Sequence, residues 1–367
     1  MKKVIVSLVS EQTAPNIYLI KNYFNKETES FVFLNTEEMW FKSILDNMIR
    51  SLNLPQDKIK EKIVPSDDPV GVQSVLDSFG FNFTDNFHIV NVTGGTKIMA
   101  LVTNNYFANK NNRLICYLPF GKTRYQTLYG DDEVKISSYL TLRENLTSYG
   151  IKVISRKEPL KSREFNQKFK EELLCKYREK GVMQKLNTIG KSTVSGKKAH
   201  SKFLEYDRQL KLDIIAKFPD DGALDYNTAK GSLYLESGWF EEYVYQSLTG
   251  IGCVKRSDIF LNVKVDKDGA DNEIDVLFIY KNSLHAIECK TRKKASGNTL
   301  ISDTFDKQKA LSSKLGLSAK MYLFTLAETT EKQYKKANSL ENIEIINRKK
   351  LESTKNFADL FGDLFKG

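Results

Sequence analysis

The residues best suited to chemistry lie late in the chain, in Asn272-Glu273-Ile274-Asp275-Val276-Leu277-Phe278-Ile279-Tyr280-Lys281-Asn282-Ser283-Leu284-His285-Ala286-Ile287-Glu288-Cys289-Lys290. Two strand patterns flank a turn signal centred on Asn282. Side chains alternate faces along a strand, so Glu288 and Lys290 share one face. A two-residue Lys281-Asn282 turn sets Asp275 opposite Glu288, and an Asn282-Ser283 turn sets it opposite Lys290. Either outcome gathers all three on one face, whereas a three-residue loop pairs Asp275 with Cys289 and scatters them. Asp275, Glu288 and Lys290 interrupt strands that are otherwise apolar, where a core prefers Val or Ile. Two carboxylates on neighbouring strands are hard oxygen donors of the kind Mg²⁺ or Mn²⁺ takes. Such an ion lowers the pKa of a bound water and offsets charge on a phosphate. Lys290 is placed to orient that water or stabilise the anion of the transition state. A surface hairpin with a charged polar face is the plain alternative.

A second group lies near the start. A Phe87–Val92 strand runs into Thr93-Gly94-Gly95-Thr96-Lys97, after which Ile98–Asn109 reads as a helix. Turn glycines admit close backbone approach, free N–H groups at the helix start face outward, and Lys97 adds a full charge. Together they suit a phosphate or other anion. A further loop, Ser10-Glu11-Gln12-Thr13, leaves the first strand. In an open parallel sheet both loops lie at strand carboxyl ends, where ligands bind. A pair of glycines after a strand also serves a tight turn alone.

Other chemistries are poorly supplied. Three histidines and four cysteines lie far apart with no C-x-x-C pair, which argues against a zinc site, a disulfide framework or a histidine mechanism. Gly190-Lys191-Ser192 resembles the tail of a P-loop, but position 185 is Lys and no strand precedes it. Ser7–Thr13 contains no glycine, which excludes a dinucleotide fingerprint there.

The elements that must position these groups follow from periodicity. From residue 1 to about 150, short apolar strands (Lys3–Val9, Ser30–Leu34, Phe87–Val92, Leu114–Leu118) alternate with amphipathic helices (Glu37–Leu52, Val70–Phe79), which predicts a mainly parallel, Rossmann-like α/β domain. Residues 151–232 read as a basic, mainly helical connector (Glu164–Lys180, Lys202–Lys217). Between Lys152 and Lys217, 18 Lys and Arg face 8 Asp and Glu, an excess equal to the net charge of +10 for the whole chain. Such a segment suits a polyanion or is merely solvated. Residues 233–367 read as a second α/β domain: helix Ser237–Leu248, strands Ile259–Val265, Glu273–Tyr280 and Leu284–Thr291, helix Asp303–Leu315 and strand Lys320–Leu326. A length of 367 residues allows two cores. No apolar run approaches the roughly 20 residues of a membrane span, and the first residues read as a strand and not a signal peptide. No membrane association and a cytoplasmic location are therefore expected.

The order helix, hairpin with Asp275 and Glu288-x-Lys290, helix, strand resembles the PD-(D/E)XK nuclease superfamily, in which a glutamate of the first helix completes the site. On the G-x-x-x-E spacing from Gly238 the resemblance carries that role to Glu242. Glu241 competes, since one residue rotates the helical position by about 100°. Ile274 stands where the family has proline, and Gln308 is a further possible contact. Joined to the Thr93–Lys97 turn, the pattern resembles the CRISPR-associated Rossmann-fold (CARF) nucleases of type III CRISPR systems. That resemblance implies a homodimer whose sensor domains bind a cyclic oligoadenylate, with cyclic tetra-adenylate the first candidate, through Ser10, Glu11, Gln12, Thr13, Thr93, Gly94, Gly95, Thr96 and Lys97. It implies cleavage of DNA or RNA by Glu242, Asp275, Glu288 and Lys290, with Asp275 and Glu288 as metal ligands. Two other readings remain: a nucleotide-sensing regulator that holds nucleic acid without cutting it, and a junction or repair nuclease, which leaves Thr93–Lys97 unexplained.

Overall fold

The computed structural model describes residues 1–119, 122–130, 133–162, 164, 166–167, 234–250, 254–267, 269–291, 319–326, 329, 331, 335, 343–353 and 360. The chain divides into two compact units, Met1–Lys152 and Val153–Gly367. Of the expected helix Glu164–Lys180 only Glu164, Asn166 and Gln167 are described, all three helical, while Lys202–Lys217, Asp303–Leu315 and Gln308 lie outside the described residues.

The first unit is built on β1 (Lys2–Leu8), α1 (Ala14–Tyr23), β2 (Thr28–Asn35), α2 (Glu37–Phe41), α3 (Ile44–Leu52), β3 (Ile59–Ile63) and α4 (Pro69–Asp77). These are followed by β4 (Asn86–Asn91), α5 (Lys97–Ala108), β5 (Arg113–Tyr117), β6 (Arg124–Thr127), β7 (Glu133–Lys135) and α6 (Leu142–Ser148). The strand order is β3-β2-β1-β4-β5-β6-β7. The first five strands are parallel and the last two antiparallel. Val4-Ile5-Val6 is buried on both faces, as a parallel strand between helical layers requires. On one face Val6, Leu8, Val32 and Val90 pack with Val72, Leu76, Met99 and Phe107 from α4 and α5.

Two features depart from expectation. The helix expected over Glu37–Leu52 is broken: the Lys42 N–H closes α2 on Glu38, and Ser43 takes φ 51° in the left-handed region. The break re-aims α3, so that Leu45, Met48 and Ile49 are buried where it packs on α6. Strand β3, Ile-Lys-Glu-Lys-Ile, was not expected because it is mostly charged. It is an edge strand, where charge discourages further pairing.

The second unit is a six-stranded sheet ordered β13-β12-β11-β10-β9-β8, with β8 at Lys152–Lys157, β9 at Ile259–Lys267, β10 at Ala270–Tyr280, β11 at Ser283–Lys290, β12 at Lys320–Thr325 and β13 at Ile343–Asn347. Strands β9, β10 and β11 run antiparallel, then β11, β12 and β13 parallel. Helix α7 (Trp239–Gly250) packs on β9 and β10 through a face that buries Trp239, Val244 and Leu248, and α8 (Arg348–Ser353) follows β13. Lys152–Lys157, assigned from sequence to the helical connector, is instead the edge strand β8 of this sheet. No helix among the described residues is long and apolar enough to cross a membrane.

Candidate functional site

The β10–β11 turn decides where the late acidic residues meet. Tyr280 pairs with Ser283 and Val276 with Ile287, so the loop is Lys281-Asn282. Both turn residues have positive φ, 47° and 66°, the signature of a two-residue turn that matches strand twist. One step beyond Val276–Ile287 the same register sets Asp275 level with Glu288. The Asp275 carboxylate accepts the Cys289 N–H at 2.7 Å, which ties it to β11 between Glu288 and Lys290. Glu288 is buried and accepts a hydrogen bond from the Lys290 ammonium. Burial first, then the charges of Glu288 and Glu241, push the Asp275 carboxyl well above the ordinary aspartate range. Burial pulls the Lys290 ammonium down, but Glu288 and Asp275 outweigh it and its pKa rises. The cluster is thus rich in negative charge, with Lys290 offsetting part of it.

Of the two helix glutamates, it is Glu241 that faces this cluster. Its carboxylate accepts from the Asn262 side chain on β9 at 2.7 Å, and its charge acts on Asp275. Glu242, the residue carried over from the G-x-x-x-E spacing, is turned away. It is buried against the segment after β8, accepting the Leu160 N–H at 2.5 Å, the Lys161 N–H at 3.2 Å and the Asn166 amide at 3.1 Å. Gln246 and Tyr234 extend the same network onto Lys161 and Asn166. One position of helical rotation accounts for the difference. Asn262 escaped the sequence reading, although a polar residue breaking Ile259-Phe260-Leu261-Asn262-Val263 is the same signal that marked Asp275. It sits at φ 45°, a local kink in β9 that leaves its side chain to reach Glu241.

The donor chemistry fits a divalent cation: hard carboxylate oxygens from Asp275, Glu288 and Glu241, with an excess of negative charge that a cation would offset. Among the described residues, no group of three or more His, Cys, Asp or Glu converges closely enough to cage a metal unaided. Water and phosphate oxygens would have to complete any coordination shell, as is usual for Mg²⁺.

In the first unit, β1 leads outward to β2 and β3, while its neighbour β4 leads to β5. The crevice beyond their carboxyl ends is therefore a topological switch point, and the Ser10–Thr13 and Thr93–Lys97 loops flank it. A buried chain of amides closes its floor: the Asn16 side chain donates to the Leu8 carbonyl at 2.8 Å, and the Asn91 side chain donates to the Asn16 side-chain oxygen Oδ1 at 2.6 Å. Asn91 in turn accepts the Thr93 N–H and hydroxyl, while the Thr93 oxygen accepts the Leu118 N–H. Asn16 and Asn91 went unnoticed in sequence because each lies in an ordinary helix or strand.

The loop residues divide by role. A Cβ on Gly94 would stand 2.4 Å from the Leu8 carbonyl oxygen, and Gly95 has φ 71°, so both glycines are demanded by backbone geometry. Thr96 caps α5, accepting the Met99 N–H, and donates to the Ser66 carbonyl. Lys97 is exposed at the first turn of α5, with no carboxylate among the described residues at ion-pair distance. Ser10 and Gln12 bond to each other, and Glu11 is ion-paired with Lys42 at 2.5 Å. Thr13 is buried and donates to Ser148 on α6, away from the loop tips. A surface cavity of about 460 Å³, lined by Asp46, Arg50 and Asn53 among others, lies on α3 and shares no residue with either loop.

The chain matches two family models: "Card1 CARF domain" over residues 4–145 and "Card1-like, endonuclease domain" over residues 229–359. No curated protein sequence matches it. Among solved structures it is similar to Can2 from Sulfobacillus thermosulfidooxidans in complex with cyclic tetra-adenylate, with 23% identity, a TM-score of 0.74, and 99% of this chain and 98% of that chain covered. It is also similar to protein VC1899 from Vibrio cholerae, with 18% identity, a TM-score of 0.74 and the same coverage. A type III CRISPR defence DNA nuclease activated by cyclic oligoadenylate matches over 90% of this chain and 46% of that one, with 16% identity and a TM-score of 0.54. At these identities the structural likenesses speak to fold: a CARF-type α/β domain followed by an endonuclease α/β domain.

Proposed function

Because the chain belongs to the CARF nucleases that join a Card1-type sensor domain to a Card1-like endonuclease domain, we propose that it is a divalent-metal-dependent endonuclease of type III CRISPR defence, switched on by a cyclic oligoadenylate. Cyclic tetra-adenylate, the ligand held by the similar Can2 structure, is the first candidate activator. The substrate is DNA or RNA. The acting form is a homodimer, since a two-fold ligand suits an isologous pair of sensor crevices.

One observation carries the catalytic reading: the Lys281-Asn282 turn brings Asp275, Glu288 and Lys290 onto one face of a hairpin, facing Glu241. Asp275 and Glu288, with Glu241 from α7, would hold Mg²⁺ or Mn²⁺. When bound, the ion supplies a water of lowered pKa and offsets charge on the scissile phosphate. The Asp275 carboxylate is kept in line by the Cys289 N–H, and Asn262 fixes Glu241. Lys290, held by Glu288, presents its ammonium where negative charge grows on the phosphate.

In the first unit the Thr93–Lys97 turn and the Ser10–Gln12 loop offer N–H groups and the Lys97 charge to ligand phosphates. Thr13 contributes by anchoring α1 to α6 and not by touching ligand. The test is cleavage of single- and double-stranded DNA and RNA with Mg²⁺ or Mn²⁺, with and without cyclic oligoadenylates. Glu288→Gln should be silent. Cleavage that survives in that variant would remove the site.

A further inference from the structure

At the β8 edge of its sheet the second unit holds a pocket of about 240 Å³. Its lining includes Arg156, Lys157, Glu158, Tyr245, Arg256 and Phe260. Three cations thus face one carboxylate. Glu158 reaches Arg156 only at 3.7 Å and Arg256 at 4.0 Å, well beyond the distances of a bidentate pair. Both guanidinium groups have aromatic neighbours. Arg156 lies over the Phe260 ring at 4.8 Å, and Arg256 shares the pocket lining with Tyr245. A guanidinium flat against a ring keeps its outer N–H fork free for a planar or tetrahedral oxyanion.

Position gives this pocket its meaning. Tyr245 follows Glu241 by four residues on α7, so the two share a face one turn apart, about 6 Å along the axis. Phe260 likewise stands two residues before Asn262, the partner of Glu241, on β9. Successive phosphates advance about 3.4 Å along each strand of a duplex, so the one-turn step from Glu241 to Tyr245 corresponds to one or two nucleotides.

We propose that Arg156 and Arg256 form a phosphate clamp that grips the substrate's backbone next to the scissile phosphodiester. This rests on the nuclease reading of the Asp275 cluster. The clamp reads backbone and not bases, since it offers charge and hydrogen-bond donors to non-bridging oxygens that every nucleotide carries.

The test measures binding of a fluorescent single-stranded oligonucleotide, DNA in one arm and RNA in another, across a salt series with and without cyclic tetra-adenylate. Full-length wild type is set beside Arg156→Gln/Arg256→Gln, Arg256→Gln alone, and a charge-matched control, Lys264→Gln/Lys349→Gln. The double variant should lose at least about tenfold in affinity at 0.1 M salt and about 1.4 in the slope of log K against log salt, one phosphate per arginine. In cleavage its KM should rise with kcat within about threefold, since the grip is equal in ground and transition states. Arg256 is 79% exposed, so its single substitution keeps the test independent of folding. A wild-type slope in the double variant, or an equal loss in the lysine control, would overturn the clamp. Wild type that binds but never cleaves removes the nuclease reading, while the slope still decides the clamp.

Discussion

One step along an α-helix turns a side chain by about 100°, and at Glu241 and Glu242 that rotation separates a carboxylate facing Asp275 from one that receives two backbone N–H groups and an amide. Their substitutions should therefore fail in different ways. Glu241→Gln is expected to lower kcat roughly 10- to 100-fold, the range for weakened support of a metal site, with an unchanged melting curve. Glu242→Ala leaves buried donors unanswered and should cost about 2–4 kcal/mol of second-unit stability, with kcat below the melt held within a few-fold. Urea titration and single-turnover cleavage separate the two, and equal kinetic losses would sink the division. His88 offers a second test. It is fully buried among Phe81, Phe83 and Phe107, with neither ring nitrogen satisfied by a hydrogen bond. Burial lowers its pKa to about 4, against a smaller upward pull from the Asn112 backbone. Because the unfolded chain takes the proton first, at about pH 6.5, stability is complete above that pH and falls as pH drops toward 4. The loss is about 3 kcal/mol at the lower end. The urea midpoint of the first unit, read by peptide-resolved labelling of β4, should fall between pH 7 and 4.5, and His88→Phe should flatten that fall.

At the scale of elements, each candidate site is positioned by a turn. Lys281-Asn282 fixes the register that gathers Asp275, Glu288 and Lys290, and Gly94-Gly95 lets the start of α5 approach the end of β1. Gly94→Ala should therefore act locally: a Cβ 2.4 Å from the Leu8 carbonyl oxygen forces the β4–α5 turn off β1. We expect a cost of about 1–3 kcal/mol from overpacking and a loss of cyclic tetra-adenylate binding by calorimetry, while ligand-independent nucleic-acid binding stays intact. Unchanged ligand affinity would show that the turn is only a turn. These elements were legible to the degree that one residue type carried the signal. Apolar runs marked β1, β2, β4 and β5, and charges interrupting apolar strands marked Asp275 and Glu288. Strand β3 and the break at Ser43 were hidden, because an edge strand tolerates charge and a left-handed serine leaves the helical period almost intact. Strand β8 was hidden by its basic composition, which looks like a solvated helix until β9 supplies its partner. The different surroundings of Glu241 and Glu242 depend on Asn262 and on Leu160, Lys161 and Asn166, which no local pattern joins to α7.

At the scale of the molecule, the chain leaves the sensor unit at Lys152 and enters the second unit at once as strand β8, whose continuation, Leu160 and Lys161, is hydrogen-bonded to α7 through Glu242. Covalent continuity thus joins the sensor to the helix that carries Glu241, and a ligand can act on the nuclease only if it favours one arrangement of this path over another. Sensing and switching are separable by measurement. Ligand at about 100 times its Kd should stabilise the unit that binds it by about 2.7 kcal/mol, so cyclic tetra-adenylate should raise the melting transition of the first unit. Thr93→Ala/Lys97→Ala should lose both that shift and activated cleavage. Glu288→Gln should keep the shift and lose cleavage. Glu242→Gln, with the shift kept, should narrow the ratio of cleavage rates with and without ligand, because its neutral amide holds the Leu160 and Lys161 N–H groups more weakly than the carboxylate. Equal cleavage rates with and without ligand in the wild type, alongside a normal thermal shift, would leave a sensor and a nuclease that share a chain but not a switch.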